Sequence, residues 1–172
     1  MNRFASLAAA SALFLGAQAT AQQGPPPPAE PGLELLYRSV VTLAPAVELG
    51  KTPLGVRRFI PITGGTFEGP DIKGEILPGG WDWQLTRPDG CTQIVADYFL
   101  KTDDGVVINI VNSGVLCGPG EDGTPNPPRT SPVFEAPIGK YDWLNKGGYI
   151  GTLGFDPTVE GPAVVITVYR AN

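Results

Sequence analysis

IPITGGTFEGPDIKGEILPGGWDWQLTRPDG, residues Ile60–Gly90, decides the fold class. Short alternating segments are cut by Gly, Pro and Asp clusters, a pattern of successive β-hairpins rather than helices. Arg87-Pro88-Asp89-Gly90-Cys91 suits a three-residue loop. Pro88 is pre-set for the turn, and Gly90 can take the positive φ that closes it. Stepping outward from this loop places Asp82 opposite Ala96 and Gln84 opposite Ile94.

The next turn can be read the same way. Thr102-Asp103-Asp104-Gly105 separates two alternating segments. A three-residue loop over Asp103–Gly105 makes Thr102 face Val106. One residue at a time along both strands, that register brings Cys91 opposite Cys117, at a separation a disulfide can span. A redox-active pair would call for the close Cys-x-x-Cys spacing, which is absent. The expected bond is structural and contributes about 3 kcal/mol by analogy with loops of similar size.

Together the two registers put Asp82, Ala96 and Asn112 in one row, with Tyr98 beside Ile110. Period-two alternation collects Ile94, Leu100, Ile108, Ile110 and Leu116 on that same face. A carboxylate, a phenol and an amide thus converge on an apolar wall. Desolvation would raise the Asp82 pKa and suit it to proton transfer, with Tyr98 donating to a developing oxyanion and Asn112 orienting a carbonyl. The competing reading is a self-satisfied buried cluster in which Tyr98 and Asn112 neutralise Asp82. The opposite face carries Trp81, Trp83, Val95, Asp97 and Phe99 and is also largely apolar. The pattern leaves open which face lines a cavity. Trp81 and Trp83 would floor an aromatic pocket or simply pack.

The remainder extends the β pattern. Strands are expected at Leu33–Leu43, Val56–Ile62, Ile72–Pro78, Tyr149–Phe155 and Ala163–Arg170, favouring an all-β barrel or sandwich. Residues 117–128 (CGPGEDGTPNPP) form a long loop, a candidate lid over one mouth. Glu121-Asp122-Gly123 lacks the spaced ligands of a calcium loop and reads as a turn. GGTFEG is followed by no helix and fails as a phosphate motif.

The 172-residue chain opens with Arg3, an apolar run Phe4–Gly16 and the small-residue signal Ala19-Thr20-Ala21. That is a cleavable export leader (1–21), its apolar run too short to span a bilayer. Residues 22–32, with four consecutive prolines, make a tether, and 33–172 a single domain. The expected location is periplasmic or secreted, an oxidising setting for the disulfide. Twelve Lys+Arg face seventeen Asp+Glu, an acidic balance that argues against nucleic acid and, after leader cleavage, anionic membrane. The chain has no histidine, which excludes a Ser-His-Asp triad and removes the usual ligand of zinc, copper and non-haem iron. No metal or other cofactor is called for.

PITGGTFEGPDIKGEILPGGWDWQLTRPDG, YFLKTDDGVVINIVNSG and RTSPVFEAPIGKYDWLNKGGYIG resemble, in that order, the motifs of the DUF3237 family, also called UPF0311. The resemblance runs from about Leu33 to Arg170. It implies a single antiparallel β-barrel with an interior cavity, and no general function. Asp82-Trp83, Tyr98, Thr102, Asp104-Gly105, Asn112, Gly114, Arg129-Thr130, Phe134-Glu135 and Trp143-Leu144-Asn145 fall on its recurrent motifs. Asp97, Val95 and Pro128 depart from it, standing where a basic residue, an acid and an aromatic are expected. Arg129 becomes a second candidate: a guanidinium at the cavity mouth for a substrate carboxylate, or a surface partner of Glu135. Trp143 reads as core and Asn145 as turn chemistry.

Three functions fit. One is a cofactor-independent lyase, decarboxylase or isomerase acting on a small hydrophobic or aromatic molecule, with Asp82 as acid/base. The second is a carrier with the same cavity and no turnover. The third is a structural or interaction barrel filled by its own side chains. Neither substrate nor oligomeric state follows from the residues.

Overall fold

Glycine at both predicted turns has the required conformation: φ is 81° at Gly90 and 89° at Gly105. Arg87 N–H donates to the Cys91 carbonyl at 2.8 Å, and Thr102 N–H to that of Val106 at 2.9 Å, closing the two loops. The computed structural model describes residues 30–172; the expected leader, and the expected tether before Glu30, lie outside the described residues.

Ten strands are present among the described residues: β1 (Leu33–Leu43), β2 (Val47–Thr52), β3 (Gly55–Glu68), β4 (Lys73–Ile76), β5 (Trp81–Thr86), β6 (Thr92–Thr102), β7 (Val107–Leu116), β8 (Arg129–Glu135), β9 (Gly148–Gly154) and β10 (Ala163–Ala171). A 3₁₀ turn, Asp142–Lys146, precedes β9. The longest strand, β3, organises the sheet. One of its edges pairs with β1 and β2 in succession, the other with β4 and β5. Because β1 also pairs with β10, the antiparallel sheet closes on itself as an eight-stave barrel and leaves no long free edge. GGTFEG lies inside β3. A Cβ on Gly65 would come within 2.0 Å of the Val40 carbonyl oxygen, so glycine there permits the close approach of β1.

The inferred registers hold residue by residue: Asp82 pairs with Ala96, Ala96 with Asn112 and Tyr98 with Ile110. Cys91 and Cys117 are bonded, with Cα atoms 4.4 Å apart. The strand β2 was not anticipated. Its VELGKT sequence has little apolar alternation, because it covers an outer stretch of β3 and buries almost nothing. The strand expected to end at Ile62 runs on to Glu68, past a bulge at Thr63 against β1.

The interior divides along its axis. One half is packed solid by Tyr37, Phe67, Leu100, Ile108, Ile110, Phe134, Tyr149 and Val168. Phe134 meets Tyr149 edge-on at 4.8 Å and Tyr37 at 6.3 Å. That end is capped by hydrogen-bonded polar groups on loops. Asp104 accepts hydrogen bonds from Thr102, Lys140 and Tyr141. The three donors pull its carboxyl down to about 2, the lysine being the largest influence. Asn145 clamps the Ala136 backbone, accepting from its N–H at 2.7 Å and donating to its carbonyl at 2.9 Å. Trp143 packs against this core and carries the Arg170 guanidinium over its ring. Asp122 and Gly123 form a turn, with Gly123 N–H donating to Gly120 at 2.8 Å.

Candidate functional site

The other half of the barrel is not filled. A cavity of about 320 Å³ is lined chiefly by Val41, Ile60, Ile62, Ile94, Val164 and Ile166, with Leu43, Leu116 and Phe155 among its remaining apolar walls. Its polar lining consists of Arg58, Asp82, Gln84, Thr92, Tyr98 and Asn112. The face carrying Asp82, not the tryptophan face, is therefore the inner one. Alternation places it there: Asp82 and Gln84 leave the same side of β5, as do Ala96 and Tyr98 on β6.

Asp82 is the centre of the polar group. Its Oδ2 accepts a 2.7 Å hydrogen bond from Gln84 Nε2, and Gln84 Oε1 accepts one of 2.7 Å from Arg58 Nε. The other carboxylate oxygen, Oδ1, is buried without a protein partner. Burial raises the Asp82 pKa, opposed by the Gln84 hydrogen bond, the nearby Val95 backbone N–H and the Arg58 charge. Tyr98 is 1% exposed, and its hydroxyl also has no partner. Burial first, and then the Asp82 charge, hold the phenol well above its ordinary value, so it remains a hydrogen-bond donor. Asn112 Oδ1 is likewise buried and unpartnered. Asp82, Tyr98 and Asn112 thus do not satisfy one another as a closed cluster would. Two further buried hydroxyls without partners, Tyr37 and Thr130, belong to the same interior.

Unpartnered polar atoms at one end of an apolar chamber can do specific chemistry. A carboxylate whose pKa is raised by burial is a stronger base once ionised, while a phenol and an amide hydrogen-bond an oxygen on which charge develops. Such groups are costly to bury without partners and are concentrated where a ligand supplies them.

Four expected site residues lie elsewhere. Trp81 and Trp83 project outward, 46% and 37% exposed, and pack against each other and, through Trp83, Phe59. Arg129 is exposed on the outer side of β8, with Nη1 donating to the Pro128 carbonyl at 2.9 Å. Glu135 is also exposed and outward, and makes no ion pair with Arg129. The reason is parity: Thr130, Pro132 and Phe134 take the inner positions of β8, which leaves Arg129 and Glu135 outside. Trp81 and Glu135 instead border an external groove with Asp97, Phe99 and Pro137.

Arg58 and Gln84 are the site residues that sequence reasoning missed. Gln84 shares the Asp82 face by simple alternation, so its signal was present. Arg58 enters through the β3–β5 pairing, where it stands opposite Gln84. The β4 segment intervenes between those strands, so no tight turn transmits that register.

The family model described as "Protein of unknown function (DUF3237)" matches residues 31–171. A UPF0311 protein of Rhodopseudomonas palustris (strain TIE-1) is 37% identical over 135 residues, covering 71% of this chain and 88% of the relative. A second UPF0311 protein, from Bradyrhizobium diazoefficiens, is 37% identical over 127 residues, covering 66% of this chain and 83% of its own. The crystal structure of a β-barrel-like protein from Acinetobacter baumannii AYE superposes with a TM-score of 0.73 at 37% identity, covering 88% of this chain and all of that one. An enzyme from Penicillium herquei superposes with a TM-score of 0.65 at 23% identity, covering 86% of this chain and 99% of its own. That last likeness concerns the fold alone.

Proposed function

Because the chain belongs to the DUF3237 family, whose description assigns no activity, we propose a function from the cavity itself. The protein binds a small hydrophobic or aromatic molecule bearing a carbonyl or hydroxyl oxygen, and performs cofactor-independent acid/base chemistry on it. Lyase, decarboxylase and isomerase reactions are of this type. One observation carries the reading: Asp82 Oδ1, the Tyr98 hydroxyl and Asn112 Oδ1 are buried without partners beside an apolar chamber of about 320 Å³. The apolar walls would take the ligand's body, and Tyr98 and Asn112 would hydrogen-bond its oxygen. Asp82 would remove a proton from the adjacent carbon or hydroxyl and return it after rearrangement. A carrier would use the same chamber without turnover; the raised Asp82 pKa favours the enzyme. The leader sequence and the Cys91–Cys117 bond support a protein that works after export.

Native mass spectrometry of protein purified from its host, followed by assay of any retained molecule, tests this. The expected result is a bound small molecule that wild type converts and Asp82→Asn binds with similar affinity but does not convert. Retention without conversion by wild type supports the carrier. Failure to retain any molecule, or to take up the neutral apolar probe N-phenyl-1-naphthylamine, counts against a ligand chamber altogether.

A further inference from the structure

We propose that Arg58 selects the substrate class: an apolar or aromatic molecule carrying a carboxylate at the end opposite its reacting oxygen. This rests on the cavity reading above and specifies it.

Among the described residues, Arg58 is the only cation lining the chamber. It lies on β3 in phase with Ile60 and Ile62, which line the same wall, and its side chain is 45% exposed, which places it at the mouth. Its Nε is fixed by the 2.7 Å hydrogen bond to Gln84, a residue 8% exposed and bonded in turn to Asp82. That anchoring leaves the terminal edge, Nη1 and Nη2, without a hydrogen bond among the described residues. The nearest acid is Glu48, with Oε1 3.9 Å from Nη1 and the pair open to solvent, a contact of little strength. A guanidinium held by one nitrogen with its paired edge free is arranged for two parallel hydrogen bonds to a carboxylate.

The spacing sets the ligand's length. Gln84, which anchors the guanidinium, and Asp82 are two residues apart on β5, roughly 7 Å along an antiparallel strand. Arg58 and Gln84 form one cross-barrel row, and Ile60, Asp82, Ala96 and Asn112 the next. A carboxylate at the first row and an oxygen at the second are therefore separated by about the span of a six-membered ring substituted at both ends. Gln84 links the two rows. A ligand carboxylate would neutralise the guanidinium and weaken its hold on the Asp82 charge, strengthening that group as a base once substrate is seated.

Calorimetry with 4-hydroxybenzoate and its neutral isostere 4-hydroxybenzamide tests the proposal. Wild type is expected to bind the acid at least about tenfold more tightly, the effect of one charge-assisted pair. Arg58→Gln should reduce the ratio to near one while leaving amide affinity within about twofold. Glu48→Gln, which removes the competing carboxylate, should strengthen acid binding only. Equal wild-type affinities, or a ratio that survives Arg58→Gln, would overturn the assignment. Uptake of N-phenyl-1-naphthylamine without acid preference would sink the Arg58 role and leave the chamber reading standing. Binding of neither benzoate nor naphthylamine would remove both.

Discussion

At the sealed end of the barrel, Asp104 has three hydrogen-bond donors and Asn145 is bonded twice to Ala136. In the open half, Tyr98 on β6 and Asn112 on β7 have buried hydroxyl and carbonyl oxygens with no partner. The paired groups of the sealed end face solvent, and that half leaves one buried orphan, the Tyr37 hydroxyl, whereas the cavity wall carries three, on Asp82, Tyr98 and Asn112. Local consistency is what makes a sequence fold, so a cluster of such breaches on one wall marks the part of the molecule shaped by something other than stability. Substitutions in the two halves should therefore differ in sign as well as size.

The largest effect is expected at Phe134, whose ring holds Tyr37 and Tyr149 together in the packed half. Phe134→Ala should cost about 3–5 kcal/mol in urea unfolding, from lost transfer energy and the cavity left behind. A loss below about 1 kcal/mol would mean that this half is not close-packed, and the contrast would collapse. Removing the disulfide as Cys91→Ser/Cys117→Ser comes next, at about 3 kcal/mol for a separation of 26 residues. The bond flanks the paired Thr92 and Leu116, both of which line the cavity. Its loss should loosen the open half first, visible as faster amide exchange in β6 and β7 near the mouth than at Leu100 and Ile108.

In the open half the sign should reverse. Asn112 is 1% exposed with an unpartnered oxygen, and Leu has nearly its shape. Asn112→Leu is expected to stabilise the fold by about 1 kcal/mol while weakening ligand binding. Destabilisation would show instead that the amide is structurally satisfied. Asp82→Asn sharpens the point through pH. Burial makes folded Asp82 hold its proton to higher pH than the unfolded chain does. The folded state then binds more protons in that window, so stability falls as pH rises from the ordinary Asp value through the raised one. Asparagine can still accept from Gln84 and escapes this penalty. The variant should melt higher than wild type above the raised value, with the difference vanishing below the ordinary Asp value. A gap that widens in acid would mean that burial does not control this carboxyl.

Legibility followed the turns. Each three-residue loop has a glycine in the one conformation that closes it, and from there strand pairing propagates without ambiguity. That is why the Asp82–Ala96–Asn112 row and the Cys91–Cys117 bond could be read, and why Tyr98 landed on the same face. The strand β2 was invisible because it buries too little to alternate. Arg58 was invisible because its neighbour across the sheet is set by the closure of β3 on β5, with another strand between them in sequence. The two outward tryptophans misled because hydrophobicity alone does not distinguish the inside of a barrel from a half-covered outside. Trp81, Phe99 and Val133 are all more than 40% exposed.

Arg129 is the smallest expected effect and the sharpest check on facing. It sits on a recurrent family motif after a proline-rich loop, so a role in holding substrate was a reasonable expectation. In the barrel it is an outer residue of β8, paired with Thr152 across the sheet and bonded only to the carbonyl before it. Its neighbour Thr130 takes the inner position, 3% exposed. A surface side chain of this kind contributes within about 0.5 kcal/mol. Arg129→Ala should accordingly leave stability, ligand affinity and acid-over-amide preference unchanged, while Arg58→Gln abolishes that preference. A loss of acid preference in Arg129→Ala would instead require β8 to slip by one residue, turning Arg129 inward and Thr130 out. That slip would also expose Phe134 and empty the packed half, so a substitution at the rim would report on the register of the whole barrel.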